Sequence, residues 1–226
     1  MQNKINGAML RKMVIAGASM LEQNKKMIDA LNVFPVPDGD TGTNMFLTIK
    51  SATTEVNNCI NNSIDSLCEA YAKGALRGAR GNSGVITSQI LKGLTSVLGK
   101  CEENITTKQF AKAIEEGAKV AYKAVTKPKE GTILTVIRTM SEAALDACKK
   151  HADFEEFFEI VLDKGEEILQ QTPEMLPVLK KAGVVDAGGR GIIVLFTGFY
   201  KAICGDESLV INFDDPKPVQ TLDDVI

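Results

Sequence analysis

Two helical segments of the chain are separated by the stretch Asn32-Val33-Phe34-Pro35-Val36-Pro37-Asp38-Gly39-Asp40-Thr41-Gly42-Thr43-Asn44-Met45. Its two prolines end any preceding helix, because proline lacks an N–H and restricts the residue before it. Its glycines allow backbone conformations that side chains forbid. Hydroxyl and amide groups follow where helical spacing resumes. The stretch therefore predicts a loop that leads into a helix N-terminus and carries two carboxylates, an arrangement typical of a magnesium and phosphate site.

The composition indicates an ordinary globular protein without a basic excess. Of the 226 residues, 44% are hydrophobic and 24% are charged, and the formal net charge is −3, so charge gives no support to nucleic-acid binding. The five cysteines include no CxxC pair, which favours reduced thiols in a cytoplasmic protein over a zinc module or a disulfide framework. We expect no signal peptide and no membrane span, since the longest apolar run, Ile192 to Phe199, is too short to cross a bilayer.

Apolar residues recur at helical spacing along most of the chain, and strand signals are almost absent. Short loops between helices favour antiparallel neighbours, so the predicted class is all-α, an up-and-down antiparallel barrel or bundle. One short strand over 209–213 would require a partner. The predicted helices cover 5–21, 23–31, 43–56, 63–76, a segment that begins near 85, 106–124, 133–148, 153–171, a short segment from 172 to 183, and 192–204.

A polar or glycine-rich turn is followed directly by an apolar helix at four places, Thr43, Ser83, Thr132 and Gly189. A helix N-terminus offers unpaired N–H groups and a partial positive charge, so it binds anions. Alternate loops of an up-and-down bundle lie at the same end, which would let these four turns share one ligand. Each glycine cluster alone is better explained by helix caps and tight turns, and the Asp38/Asp40 loop alone fits a plain turn as well as a metal site. Neither the P-loop nor the dinucleotide fingerprint occurs.

A phosphate beside Asp38 and Asp40 requires a divalent cation. Two unit charges about 4 Å apart interact by about 4 kcal/mol at an effective dielectric constant near 20, so the carboxylates would repel the phosphate. Magnesium is usually shared between one or two carboxylates and the phosphates of a nucleotide. The predicted ligand is therefore a nucleotide with Mg²⁺.

Four segments in this order resemble the nucleotide-binding domain of dihydroxyacetone kinases, and more closely the N-terminal domain of the bacterial fatty acid kinase A subunit. The resemblance covers about residues 1–205 and implies an eight-helix antiparallel barrel with ATP and Mg²⁺ at one mouth. We expect residues 206–226 to be an acidic linker or tail towards C-terminal domains that this chain lacks. The segments are Asp38–Met45, Gly78–Ile86, Glu130–Val136 and Val185–Gly191.

The resemblance also implies roles for individual residues. Asp38 and Asp40 would ligate magnesium, and together with Arg190, as the cation that faces the phosphates, they would form the catalytic set. The other implied contacts are Thr41, Gly42, Thr43 and Asn44 with the phosphates; Asn82, Ser83 and Gly84 with the phosphates from a second helix N-terminus; Ile86, Thr132 and Ile133 around the adenine; and Asp186, Gly188, Gly189 and Arg190 closing the site.

Two departures from the dihydroxyacetone kinase pattern favour the fatty acid kinase branch. Val33 stands where that pattern has a third aspartate, so Asn32 is the nearest polar candidate for a third metal ligand. Thr41 stands where that pattern has a histidine.

The resemblance implies transfer of the γ-phosphate of ATP to a fatty acid carboxylate that a separate fatty-acid-binding subunit presents. A carboxylate is already ionised at neutral pH, so the chain needs no general base. We expect this chain alone to bind nucleotide but to transfer little phosphate. The sequence does not decide whether the chain forms a homodimer. The alternatives are a dihydroxyacetone kinase subunit and a non-catalytic nucleotide-sensing module.

Overall fold

The computed structural model describes residues 2–213, which form nine helices and one two-stranded ladder. The short strands β1 and β2 pair antiparallel, with Ile5 opposite Ile105. The elements in chain order are β1 Ile5–Asn6, α1 Gly7–Leu31, α2 Thr41–Asn57, α3 Ile64–Gly78, α4 Gly81–Leu98, β2 Asn104–Ile105, α5 Thr107–Ala124, α6 Ile133–Ala147, α7 Phe154–Met175, α8 Pro177–Ala182 and α9 Ala187–Ile203.

The eight long helices close into a ring. Each long helix packs against the next long helix along the chain, so that α7 packs against α9, and α9 closes the ring by packing against α1. Helix α8 is a short segment after α7. The structure therefore confirms the all-α, up-and-down antiparallel barrel. Within residues 2–213, no helix combines the length and apolar character that a membrane crossing requires.

The apolar faces of the helices fill the interior of the ring. Phe110, Phe154, Phe157 and Phe158 are fully buried and meet mostly edge to face, with ring centroids 5.3–6.3 Å apart. Such pairs add about 0.5–1.5 kcal/mol to the free energy gained from burial. They fasten the N-terminal half of α5 to the start of α7, at the end of the barrel away from the N-termini of α2 and α4.

Helix α1 is continuous from Gly7 to Leu31, so the prediction of two helices over 5–31 was wrong. The polar residues after Leu21 lie on the exposed side of one helix and bond to its preceding turn. Gln23 Nε2 donates to Ser19 Oγ (3.2 Å) and Asn24 Nδ2 donates to Met20 O (2.8 Å).

Pro173 does not begin a helix, as its sequence pattern predicted, but lies in the last turn of α7. Proline cannot donate to the carbonyl four residues earlier, which here is that of Leu169. The hydroxyl of Thr172 donates to this carbonyl instead (2.7 Å), so the helix continues to Met175. Pro177 then occupies the first turn of α8.

The last long helix begins at Ala187, five residues before the predicted start, because Asp186 caps it across the glycine run. Residues 209–213 are not a strand, although Leu209 is buried against the core. The predicted acidic tail lies outside the described residues from position 214 onward.

Candidate functional site

The first turns of α2 and α4 lie side by side. The backbone N–H of Arg80 donates to Thr48 Oγ1 (3.2 Å), and Ser83 Oγ lies 3.5 Å from Thr41 O. Gly81 has a φ of 61°, and a Cβ added to it would lie 2.6 Å from Asn44 Nδ2. Position 81 therefore favours glycine for its conformation, and a side chain there would displace the amide of Asn44.

The first turns of α6 and α9 are joined by Asp186. Its carboxylate accepts hydrogen bonds from the N–H of Gly189 in α9 (2.7 Å) and from the N–H of Ile133 in α6. Met45 of α2 packs directly against Gly191 of α9. The N-termini of α2, α4, α6 and α9 thus meet at one end of the barrel, which we call the mouth.

Both carboxylates of the Asp-Gly-Asp turn lie at the mouth without a hydrogen-bond or ion-pair partner among residues 2–213. Asp40 is the N-cap residue of α2, yet its side chain makes no capping hydrogen bond. Asp38 is exposed, and its carboxylate makes no hydrogen bond or ion pair with another residue within 2–213. Gly39 between them has a φ of 66°, which the tight turn requires.

Asp29 supplies the capping bond that Asp40 does not make. Its carboxylate accepts from Thr43 N (2.9 Å) and from Thr43 Oγ1 (2.6 Å). Sequence reasoning missed this residue. One signal was available, since an acidic residue near the C-terminus of a helix opposes the helix dipole.

Asn32 braces the loop from within. Its side-chain Oδ1 accepts from Asp40 N (3.1 Å) and its Nδ2 donates to Val36 O (3.0 Å), and the residue is only 7% exposed. The side-chain amide is therefore already engaged in shaping the turn. This geometry does not favour the predicted role of Asn32 as a third metal ligand.

The four N-termini differ in how their N–H groups are satisfied. Thr132 caps α6 and Asp186 caps α9 with their own side chains. The N-cap residues of α2 and α4, Asp40 and Arg80, make no side-chain cap. Donors for an anion are therefore concentrated on the α2/α4 side of the mouth.

Asp186 is buried (6% exposed), and its backbone N–H donates to Thr172 Oγ1 (3.1 Å). Burial raises the pKa of its carboxyl to about 6, although the hydrogen bonds from Gly189 and Ile133 lower it in part. These contacts make Asp186 a clamp between two helices rather than a group presented to a ligand.

Arg190 is held by an ion pair on the seam between α7 and α9. Its Nη1 and Nη2 lie 2.6 and 2.9 Å from the carboxylate oxygens of Glu166, and this hydrogen bonding lowers the pKa of Glu166. Arg80 is exposed, and its side chain pairs with no residue within 2–213. Of these two arginines, Arg80 is the one whose side chain is available to an anion.

Glu130 anchors the loop that leads into α6, and sequence reasoning gave it no role. Its carboxylate accepts hydrogen bonds from both terminal nitrogens of Arg138 (2.9 and 3.0 Å), from Thr135 Oγ1 (2.6 Å) and from Tyr122 OH (3.2 Å). Burial alone would raise the pKa of Glu130, but the hydrogen bonds from Thr135 and Arg138 outweigh it and lower the pKa.

Most other residues of the predicted site also lie at the mouth. Ile133 is buried beside Gly188, and Ile86 is half-buried in the second turn of α4. The Arg190 guanidinium is the exception, since it bonds to α7. The other predicted site residues lie in the first turns of two helices. Gly42 (which packs against α1), Thr43 and Asn44 belong to α2, and Asn82, Ser83 and Gly84 belong to α4.

The residues present fit a magnesium ion that is shared with a ligand. No group of three or more His, Cys, Asp or Glu side chains within residues 2–213 forms a complete metal site. Magnesium, however, is commonly bound through one or two carboxylates together with phosphate oxygens and water. Asp38 and Asp40 supply two such carboxylates, and neither is engaged by another described residue.

The chain belongs to the DAK2 domain family, whose model matches residues 35–201. It is 45% identical over 217 residues to an uncharacterized protein of Staphylococcus saprophyticus, and 45% identical over 207 residues to an uncharacterized protein of Staphylococcus aureus. These alignments cover 96% and 92% of this chain. The chain spans 39% and 38% of the length of these relatives.

Two solved structures share the fold. The native dihydroxyacetone kinase of C. freundii matches with a TM-score of 0.63 and 16% identity, over 89% of this chain and 35% of that one. The same kinase in complex with AMP-PNP and Mg²⁺ matches with a TM-score of 0.61 and 16% identity, over 86% and 34%.

Proposed function

We propose that this chain is the MgATP-binding domain of a kinase that phosphorylates a fatty acid carboxylate in the cytoplasm. The observation that carries the proposal is the mouth itself. Two uncommitted carboxylates lie beside two helix N-termini whose own N-cap residues, Asp40 and Arg80, make no side-chain cap. The AMP-PNP and Mg²⁺ bound by the structurally similar dihydroxyacetone kinase support the same ligand class.

The phosphates are assigned to the α2/α4 side of the mouth. The first N–H groups of α4, from Gly81 to Ser83, point out of an uncapped helix end, and those of α2 lie beside them. Thr41, Gly42, Asn44 and Asn82 to Gly84 keep their predicted roles on this basis, whereas the N–H and hydroxyl of Thr43 are already bound by Asp29. Arg80 replaces Arg190 as the proposed phosphate cation, because Arg190 would have to leave Glu166 first.

Asp38 and Asp40 are the proposed magnesium ligands. The ion would neutralise charge on the phosphates during transfer. Asn32 contributes indirectly, because its side chain holds the N–H of Asp40 and thereby sets the position of that residue.

The α6/α9 side of the mouth is assigned to the adenine. Its N–H groups are already used by Thr132 and Asp186, and Ile133 and Gly188 offer an apolar wall. Ile86 of α4 would face the same ring. Gly189 and Asp186 act here by fixing the backbone rather than by direct contact.

The acceptor is proposed to be a fatty acid presented by a separate binding subunit. Val33 and Thr41, which depart from the dihydroxyacetone kinase pattern, favour this acceptor over dihydroxyacetone. The reaction requires no nucleophile from this chain, since the attacking oxygen belongs to the substrate carboxylate. We also propose that the remaining three fifths of the full-length relatives carry the docking functions.

ATP turnover by the full-length protein tests the acceptor. Fatty acid together with its binding subunit is expected to stimulate turnover, and dihydroxyacetone with its own subunit is not. The opposite result would favour a dihydroxyacetone kinase subunit, which the shared fold keeps as the second candidate. Binding of MgATP without stimulation by either acceptor would indicate a nucleotide-sensing module.

A further inference from the structure

Thr43 donates its backbone N–H to a carboxylate from a different helix. It is the third residue of α2, and the N–H at this position is ordinarily bound by the side chain of the N-cap residue, here Asp40. Asp29 of α1 takes that N–H at 2.9 Å and the Thr43 hydroxyl at 2.6 Å. The carboxylate of Asp40 is left without a partner among the described residues.

Two other aspartates at helix N-termini show the ordinary arrangement. Asp153 accepts from the N–H groups of Glu155 and Glu156, and Asp186 accepts from that of Gly189. Their ψ angles are 128° and 124°, whereas that of Asp40 is 3°. Within residues 2–213, Asp40 is therefore the aspartate N-cap whose side chain makes no capping hydrogen bond to its own helix.

We propose that Asp29 is a positioning residue for the metal site. By capping α2 from α1, it removes the N–H that would otherwise draw Asp40 back onto its own helix. The inference rests on the proposed function for the identity of the cation. The competition between Asp29 and Asp40 for Thr43 does not depend on any ligand.

The size of the effect follows from the strength of an N-cap. A capping side chain changes a helix equilibrium by about fivefold. Without Asp29, Asp40 would therefore cap Thr43 about five times out of six, which leaves about a sixth of the molecules competent for metal. Apparent affinity scales with the competent fraction, and the backbone rotation at Asp40 reduces the preference. The expected loss of MgATP affinity is about three- to sixfold.

The first test is a metal-free double-mutant cycle measured by urea unfolding in EDTA. In the parent, Asp40→Ala is expected to change the unfolding equilibrium constant by less than about twofold, because Asp40 caps nothing. In the Asp29→Ala background, the same change is expected to destabilise by about threefold or more. Equal effects in both backgrounds would overturn the inference. Asp29→Asn, which keeps one acceptor oxygen, provides a milder background in which a smaller coupling of the same sign is expected.

The second test compares nucleotide affinity with and without magnesium. Asp29→Ala is expected to weaken MgATP binding about three- to sixfold and to leave ATP binding in EDTA unchanged. Asp153→Ala is the matched control, since it removes a helix cap at the opposite end of the barrel and should not alter either affinity. Unchanged MgATP affinity in Asp29→Ala would contradict the positioning role. If the parent itself does not bind MgATP, the proposed function fails. The double-mutant unfolding cycle then still tests whether Asp29 and Asp40 compete for the N–H of Thr43.

Discussion

The buried carboxyl of Asp186 gives the barrel a specific pH dependence. Its pKa is about 6 in the folded protein, against 3.8 for an ordinary aspartate. The folded state therefore binds the proton more tightly than the unfolded state. The resulting stabilisation is fully present below pH 3.8 and is lost as the pH rises through about 6. A difference of about 2 pH units at about 1.36 kcal/mol each corresponds to about 3 kcal/mol.

Asp186→Asn removes this titration while keeping the shape of the side chain. The measurement is the free energy of unfolding by urea for parent and variant at pH 4.5 and 7.5. Between these values the parent is expected to lose about 2 kcal/mol relative to the variant, because part of the transition lies below pH 4.5. Since Glu130 and Glu166 have lowered pKa values in both proteins, their opposite contributions cancel in the difference.

Asp163→Asn is the control for this experiment, because Asp163 is an exposed aspartate in α7 whose side chain has no partner within residues 2–213. Its pH profile should run parallel to that of the parent. A parallel profile for Asp186→Asn, within about 0.5 kcal/mol, would show that Asp186 is not a desolvated clamp and would refute the reasoning.

Two further predictions concern the mouth. Arg80→Ala is expected to weaken MgATP binding by about one to two orders of magnitude, because a charge-assisted hydrogen bond contributes about 1.5–3 kcal/mol. Arg190→Ala should lower the melting temperature with little change in affinity, and the reverse order of affinities in calorimetry would contradict the assignment. Gly81→Ala is expected to cost about 2 kcal/mol in thermal unfolding, since its φ disfavours a side chain and the Asn44 amide would have to move aside. Gly205→Ala, with a φ of 87° but open space around it, should cost about 1 kcal/mol, and equal losses would argue against the contact.

Local capping chemistry made much of the fold predictable. The helices predicted over 106–124, 133–148 and 153–171 begin where the sequence placed them, and Thr106 (in a capping box with Gln109), Thr132 and Asp153 cap them. Each of these signals needs only residues two or three positions apart. The same local rule failed at Pro173, because the hydroxyl of Thr172 replaced the missing amide donor and let the helix continue.

Two of the contacts that sequence reasoning missed join residues far apart in the chain. Asp29 meets Thr43 across 14 positions, and Glu166 meets Arg190 across 24. Nothing in the local pattern around Arg190 distinguishes a phosphate cation from one that is already paired. The Asp-Gly-Asp turn could be identified as a candidate site from its residues alone, but which atoms remain available there is decided by partners from α1 and α7.

The central claim is that Asp38 and Asp40 hold magnesium for a nucleotide at the mouth. Calorimetric titration of this chain with ATP, with magnesium and with EDTA, tests it most directly. We expect magnesium to strengthen binding in the parent, and we expect Asp38→Ala and Asp40→Ala to abolish that magnesium dependence. MgATP binding as tight in both variants as in the parent would contradict the account.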